Sequence, residues 1–174
     1  MGKPTYTYCP QCGNALTEAD RSGEIRKICI DTDCGFVHWD NPIPVVAAIA
    51  TRGEEVYLVR SIGWPDKWFG LVTGFMEKAE KPEEAVLREV KEELGLEGEV
   101  TTFIGHYPFR RMNQIIIVYH VALAEGEVQL DTSELEGWKK VPIEKIRPWP
   151  MGTGKALKDW LSSQGYEREF IQFG

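Results

Sequence analysis

Apolar positions are distributed along this chain in two different rhythms, which predict different elements. From Val45 to Thr51 the run Val-Val-Ala-Ala-Ile-Ala-Thr is apolar at nearly every position, as in a strand buried on both faces. Glu55 to Arg60 reads as its hairpin partner, turned at Arg52-Gly53-Glu54. Trp64 to Phe69 is an aromatic loop containing a proline. From Pro82 to Leu94 the rhythm becomes helical, with Val86, Leu87, Val90 and Leu94 on one face. Pro82 suits the first helical position, Glu83 and Glu84 suit the positive end of the helix, and Gly95 stops it. Further strands are predicted at Val100 to Tyr107, Gln114 to Leu123 and Gly137 to Val141, and a closing helix at Thr153 to Ser163. Strands mixed with two helices predict an α/β sandwich around a mixed sheet.

The segment Asp40-Asn41-Pro42-Ile43-Pro44 is punctuation, separating a small module at residues 1–40 from a main domain at 41–174. All four cysteines lie in the small module, as Cys9-x-x-Cys12 and Cys29-x4-Cys34, with 16 residues between the pairs. Two short-spaced pairs can close a tetrahedral four-thiolate Zn2+ site, and Gly13 and Gly35 let the backbone turn its amides toward the thiolates. The alternative is two disulfides, which suit a secreted protein, and nothing here marks secretion. Four thiolates leave no open coordination position, so the zinc is expected to be structural. His38 is then a surface or packing residue rather than a ligand.

The net charge of −7, from 20 Lys+Arg against 27 Asp+Glu, weighs against a broad nucleic-acid or acidic-membrane partner. No apolar stretch approaches the ~20 residues a spanning helix needs. With no signal pattern near Met1, the expected location is cytoplasmic.

Glu89, Glu92 and Glu93 form a stripe beside the apolar face of the Pro82–Leu94 helix. A solvated acidic face is the plain reading of such a run. Like charges at helical spacing repel by about 0.2–0.5 kcal/mol per pair, however, and become favourable when a hard divalent cation binds them. The stretch from Gly74 to Leu96 resembles the signature of the Nudix hydrolases, G-x5-E-x7-R-E-U-x-E-E-x-G-U with U aliphatic. Gly74, Glu80, Arg88, Glu89, Val90, Glu92, Glu93, Gly95 and Leu96 fill its nine specified positions. The resemblance implies a Nudix-type α/β/α sandwich preceded by a zinc ribbon. It implies Glu89 and Glu93 as principal ligands of Mg2+ or Mn2+, Glu92 completing the cluster, and the Gly74 carbonyl joining them. It makes Glu80 and Arg88 the pair that ties the loop to the helix. The general base is left open between Glu89, a distal glutamate and metal-bound hydroxide.

A four-cysteine module ahead of such a domain is similar to the zinc-ribbon branch of NADH pyrophosphatases and ADP-ribose pyrophosphatases. The likeness rests on Leu71 to Glu77, on Glu127 to Leu135, on Trp138 and on Pro148 to Thr153. It implies a hydrolase that cuts the diphosphate of NADH, NAD, ADP-ribose or FAD and releases AMP. It also implies a homodimer, with Phe75 lining the nucleotide pocket and Glu134 as the distal catalytic carboxylate. The NADH pyrophosphatases carry S-Q-P-W-P-F-P-x-S downstream of the signature, diagnostic for NADH. Here only the centre Tyr107-Pro108-Phe109 survives, followed by Arg110 and Arg111, which either reach a phosphate or stay solvated. The other reading is a non-catalytic nucleotide sensor or nucleic-acid-binding regulator on the same fold. Such proteins usually lose the signature carboxylates, and this chain keeps them.

Overall fold

The first hairpin turns at Ser22 and Gly23, both with positive φ (59° and 85°), the two-residue turn whose twist matches that of the flanking strands. It joins β1 (Leu16–Arg21) to β2 (Glu24–Cys29), and β3 (Val37–His38) pairs with the other edge of β2. This computed structural model describes residues 6–172, and the three-stranded sheet belongs to the first of two compact units, which divide after Pro42. These three strands have too few apolar residues to be legible as a period. Among the described residues of this unit only Cys9 and Cys29 are buried. His38 takes part in β3 and lies edge-on to the ring of Tyr6, with 4.9 Å between centroids.

In the second unit the apolar run becomes β4 (Ile43–Arg52), buried from Val45 to Thr51. The following elements are β5 (Glu55–Ser61), β6 (Val72–Phe75), α1 (Pro82–Leu94), β7 (Gly98–Phe109), β8 (Gln114–Leu123), β9 (Leu135–Pro142) and α2 (Gly154–Ser163). The sheet order is β7-β8-β4-β5-β9, with β6 also paired to β4. Only β4 and β8 run parallel, so the sheet is mixed as expected. The predicted α1 and β8 have the observed bounds, and the other predicted elements agree to within two residues at each end.

Strand alternation explains why β4 is apolar throughout. Val46, Ala48 and Ala50 pack with Val86, Val90 and Leu94 of α1, while Ala47 and Ile49 pack with Leu157, Trp160 and Leu161 of α2. The two helices therefore cover opposite faces, which makes the α/β/α sandwich. None of the helices among the described residues is long and apolar enough to cross a membrane.

The sequence pattern does not predict β6. With four residues it has no period of its own, and it exists because Val72–Phe75 pairs with Ala48–Val45. Its alternation turns Val72 and Gly74 toward α1, and Phe75 to the opposite face.

Candidate active site

α1 carries the acidic stripe, and its ends are fixed locally. The Glu84 carboxylate accepts the N–H of Lys81 at 3.2 Å, and Gly95 leaves the helix with φ 69°, a conformation glycine adopts without strain. From this helix Glu89 reaches β6. A β-carbon at Gly74 would lie 1.8 Å from the Glu89 carboxyl carbon, so only glycine lets that carboxylate rest against the strand. Gly74→Ala is expected to displace Glu89 and weaken Mg2+ or Mn2+ binding by tenfold or more with the sheet intact. Metal titration followed by calorimetry checks this, and unaltered affinity would detach Glu89 from metal binding.

Arg88 organises the rest. Its Nε and Nη2 donate to Glu80 at 2.9 and 3.1 Å, its Nη1 to Glu89 at 2.8 Å and Glu92 at 2.9 Å, and its Nη2 to the Phe75 carbonyl at 3.0 Å. One guanidinium thus ties the 76–81 loop and the end of β6 to the helix. The bidentate bond to Arg88 holds the Glu80 carboxyl below its usual range, leaving Glu80 a permanently charged strut.

Glu93 is the side chain whose placement the charge pattern did not anticipate. It is 8% exposed, not on a solvated stripe, and its Oε2 has no hydrogen-bond partner. Burial pushes its pKa up to about 8, and the neighbouring charges of Glu89, Glu134 and Asp131 add to this against an opposing backbone donor at Thr73. Glu89 is also pushed up, again chiefly by burial. An orphaned, nearly buried carboxylate oxygen facing other carboxylates fits a divalent cation bound through oxygen. Glu92 is half exposed and sits at the outer edge of this group.

Glu134 and Asp131 arrive on the 124–134 segment. That segment docks on the end of α1, with Gln129 N–H donating to Leu94 O at 2.9 Å and Asp131 N–H to Glu93 O at 3.3 Å. Arg52 holds its start, donating to Ala124 O at 2.6 Å and Gly126 O at 2.9 Å. Asp131 was not singled out from the sequence. Asp-Thr-Ser there marks only a turn, which its carboxylate does make by accepting the N–H and hydroxyl of Ser133.

The aromatic candidates divide. Phe75 is 58% exposed and directly follows Gly74. Phe75, Val45, Ile116 and Tyr107 are successive partners across four strands on the face opposite α1. Three strand intervals separate Phe75 from Tyr107 by ~14 Å, too far to sandwich one ring. Tyr107 is buried and donates its hydroxyl to Asp159 on α2 at 2.9 Å, and Phe109 packs on the same α2-side core. The structure does not bring these two to the carboxylates, because alternation along β7 turns them to α2. A cleft of about 510 Å³ beside Tyr107 is lined by His106, Met151, Lys155 and Asp159, and by none of the α1 glutamates. Arg110 and Arg111 form an exposed 3-10 turn between β7 and β8.

In the small unit Cys9 Sγ lies 3.7 Å from Cys34 Sγ and Cys12 Sγ 3.4 Å from Cys29 Sγ, and all four sulfurs lie within 4.8 Å of one another. A tetrahedral centre with metal–sulfur bonds of about 2.3 Å sets sulfurs roughly 3.8 Å apart, so the four fit one ion. Burial alone pushes the Cys9 thiol up, but the Cys12 and Gln11 amides overcome it and bring it to about 7.

The NUDIX domain family model matches residues 41–160. The chain is 26% identical over 143 residues to an NAD-capped RNA hydrolase NudC of Pseudomonas aeruginosa, covering 82% of this chain and 50% of the relative. It is 26% identical over 145 residues to a NudC of Stutzerimonas stutzeri, covering 83% and 51%. The chain thus spans about half the length of the curated relatives it matches. Among solved structures it is similar in fold to a NUDIX hydrolase from Nitrosomonas europaea, with TM-score 0.76, 22% identity and coverage of 95% and 97%. It also resembles an ADP-ribose pyrophosphatase from Streptococcus suis, with TM-score 0.59, 19% identity and coverage of 75% and 97%.

Proposed function

Because this chain belongs to the Nudix family, we propose that it hydrolyses the diphosphate bond of a nucleoside diphosphate joined to another group, releasing AMP. The observation that carries this reading is the Glu93 carboxylate, nearly buried, orphaned at Oε2 and facing Glu89 and Glu134. Glu89, Glu93 and the Gly74 carbonyl would hold Mg2+ or Mn2+, with Glu92 completing the set. Such a cation, when bound, neutralises charge developing on the phosphates and acidifies a water for attack on phosphorus. The residues then divide the remaining work. Arg88 keeps Glu89 and Glu92 aimed by bonding both through one nitrogen. Glu134, exposed at the end of the docked segment and near enough for its charge to be felt by Glu89 and Glu93, would serve as the distal carboxylate, with the proton of the attacking water taken by it, by Glu89 or by metal-bound hydroxide. Phe75 follows Gly74 but offers its exposed ring to a base from the opposite face of β6, and Arg110 and Arg111 are exposed and would meet a phosphate.

The four cysteines serve as a structural Zn2+ site in this reading. The substrate class is NAD or NADH, ADP-ribose or FAD. The NudC relatives are named for NAD-capped RNA, so an NAD-bearing RNA end belongs among the substrates to test, despite the net charge of −7.

Product analysis with Mg2+ or Mn2+ tests the proposal by offering NADH, NAD, ADP-ribose, FAD, diadenosine polyphosphates and NAD-capped RNA side by side. AMP, or a 5′-monophosphate RNA end, released from one far faster than from the others is expected. Normal metal binding with no cleavage of any would overturn the reading in favour of a nucleotide sensor.

A further inference from the structure

The chain from Val128 to Asp131 has no helix or strand of its own, yet every residue of it is fixed to the carboxylate helix or the core beneath. Gln129 N–H donates to Leu94 O at 2.9 Å and Asp131 N–H to Glu93 O at 3.3 Å, while Val128 and Leu130 pack on the α1-side core. Segment and helix approach so closely that a β-carbon on Gly95 would lie 2.7 Å from that of Gln129. Past Asp131 this support stops. Thr132, Ser133 and Glu134 are exposed, and burial resumes only at Leu135, where β9 begins. Exposed turns with no packing of their own open readily unless something ties them.

Asp131 supplies the ties. Its Oδ1 accepts the Ser133 N–H at 2.8 Å and the Ser133 hydroxyl at 2.7 Å, and its carbonyl accepts the Leu135 N–H at 3.0 Å. From the other side Ile62 N–H donates to the Glu134 carbonyl at 2.9 Å, and Gly63 N–H to the Glu136 side chain at 3.2 Å. The backbone of Glu134 is therefore held on both flanks, while the charge of its carboxylate reaches Glu89 and Glu93. A residue of any type at 131 could make the two backbone bonds. Only aspartate or asparagine there can also accept from the backbone two residues on and from the serine hydroxyl with one oxygen.

We propose that Asp131 is the positioning residue for Glu134. Its backbone anchors the turn to the Glu93 carbonyl, and its side chain, through Ser133, sets where the next residue projects its carboxylate. Asp131 acts through Glu134 and touches neither substrate nor cation. This deepens the pyrophosphohydrolase reading, and rests on it and on Glu134 as its distal carboxylate. The rate of the chemical step is what such a brace controls, because a displacement of about 1 Å in a reacting group can cost on the order of 10²-fold while binding is spared.

The test is steady-state kinetics of the full chain with Mg2+, on whichever of NADH, ADP-ribose and FAD wild type cleaves fastest, in a cycle with Glu134→Gln. Asp131→Ala is expected to lower kcat by about 10- to 100-fold, with KM and calorimetric Mg2+ affinity within about twofold of wild type. Asp131→Asn offers the same acceptor oxygen without the charge and should keep kcat within about threefold. Ser133→Ala, which loses only the hydroxyl bond, should fall between the two. In the Glu134→Gln background Asp131→Ala should change kcat by less than about twofold, since both act on one event. If Asp131→Ala fails to fold, Asp131→Asn and Ser133→Ala still decide. Wild-type kcat in Asp131→Ala or in Glu134→Gln, an undiminished loss in the Glu134→Gln background, or Asp131→Asn as damaged as the alanine variant overturns the proposal. Weakened Mg2+ binding in both Asp131 variants overturns it in favour of a metal ligand. A wild type that binds Mg2+ and cleaves none of the three substrates overturns the catalytic reading and this proposal together, whereas the other failures leave that reading standing.

Discussion

Glu93→Gln should lower turnover by about 10³-fold or more, some 4 kcal/mol of transition-state stabilisation, and yet give a more stable protein in the absence of divalent cation. Both effects come from one carboxylate that is 8% exposed and lacks a partner at Oε2. In the unfolded chain this group ionises near 4.5, whereas in the folded protein burial and the nearby carboxylates push it up to about 8. Between those values folding must take up a proton. Stability of the cation-free protein therefore falls as pH rises from about 4.5 to about 8, then levels off. Glutamine has no proton to take up. The variant should match wild type near pH 5 and exceed it by ~2–4 kcal/mol above pH 8, in buffer without added divalent metal. Adding Mg2+ or Mn2+ should reverse the order, since wild type has the negative charge that the cation needs. Thermal melts at the two pH values, with and without metal, read all of this. Equal melting temperatures at high pH, or wild-type turnover, would remove Glu93 from the site.

The same residue marks where the sequence was legible and where it was not. Helix α1 could be placed to the residue because its signals are local, Pro82 at the start and Gly95 at the end. β8 followed from a long apolar run. Charge, however, reads as exposure, and Glu93 is buried because α1 lies against Gly74 and the 124–134 segment folds over its end. Those are contacts between chain segments far apart in sequence, which no local pattern encodes. Tyr107 and Phe109 are a related case. The Tyr-Pro-Phe string looks like one aromatic patch, yet pleating decides which face each ring meets, and α2 is on that face. The loop bearing Trp64 read only as aromatic, since its ties to Glu134 and Glu136 come from the pairing of β5 with β9.

Removing zinc should unfold the N-terminal unit while the second unit keeps its melting transition. Among the described residues through Pro42 the only buried side chains are Cys9 and Cys29, so this sheet has no apolar core to stand on. Its hydrophobic residues Tyr8, Ile25 and Ile30 are more than half exposed. What holds β1, β2 and the Cys9–Cys12 turn together is then the convergence of four sulfurs within 4.8 Å. Without a cation that convergence contributes little, because burial and the neighbouring sulfurs push the Cys29 thiol up and keep it protonated. With one it becomes the folding energy of the unit, apparent values being about 10–16 kcal/mol for structural zinc in small modules near pH 7. The second unit, with apolar cores on both faces of its sheet, needs no such help. Cys9→Ser in the full chain is expected to lose stoichiometric zinc and to collapse the amide dispersion of residues 6–42 in a two-dimensional NMR spectrum. Signals from the second unit should stay in place. Protein purified without chelators and found free of zinc, or a Cys9→Ser unit still dispersed, would show that something other than metal ligation folds these residues.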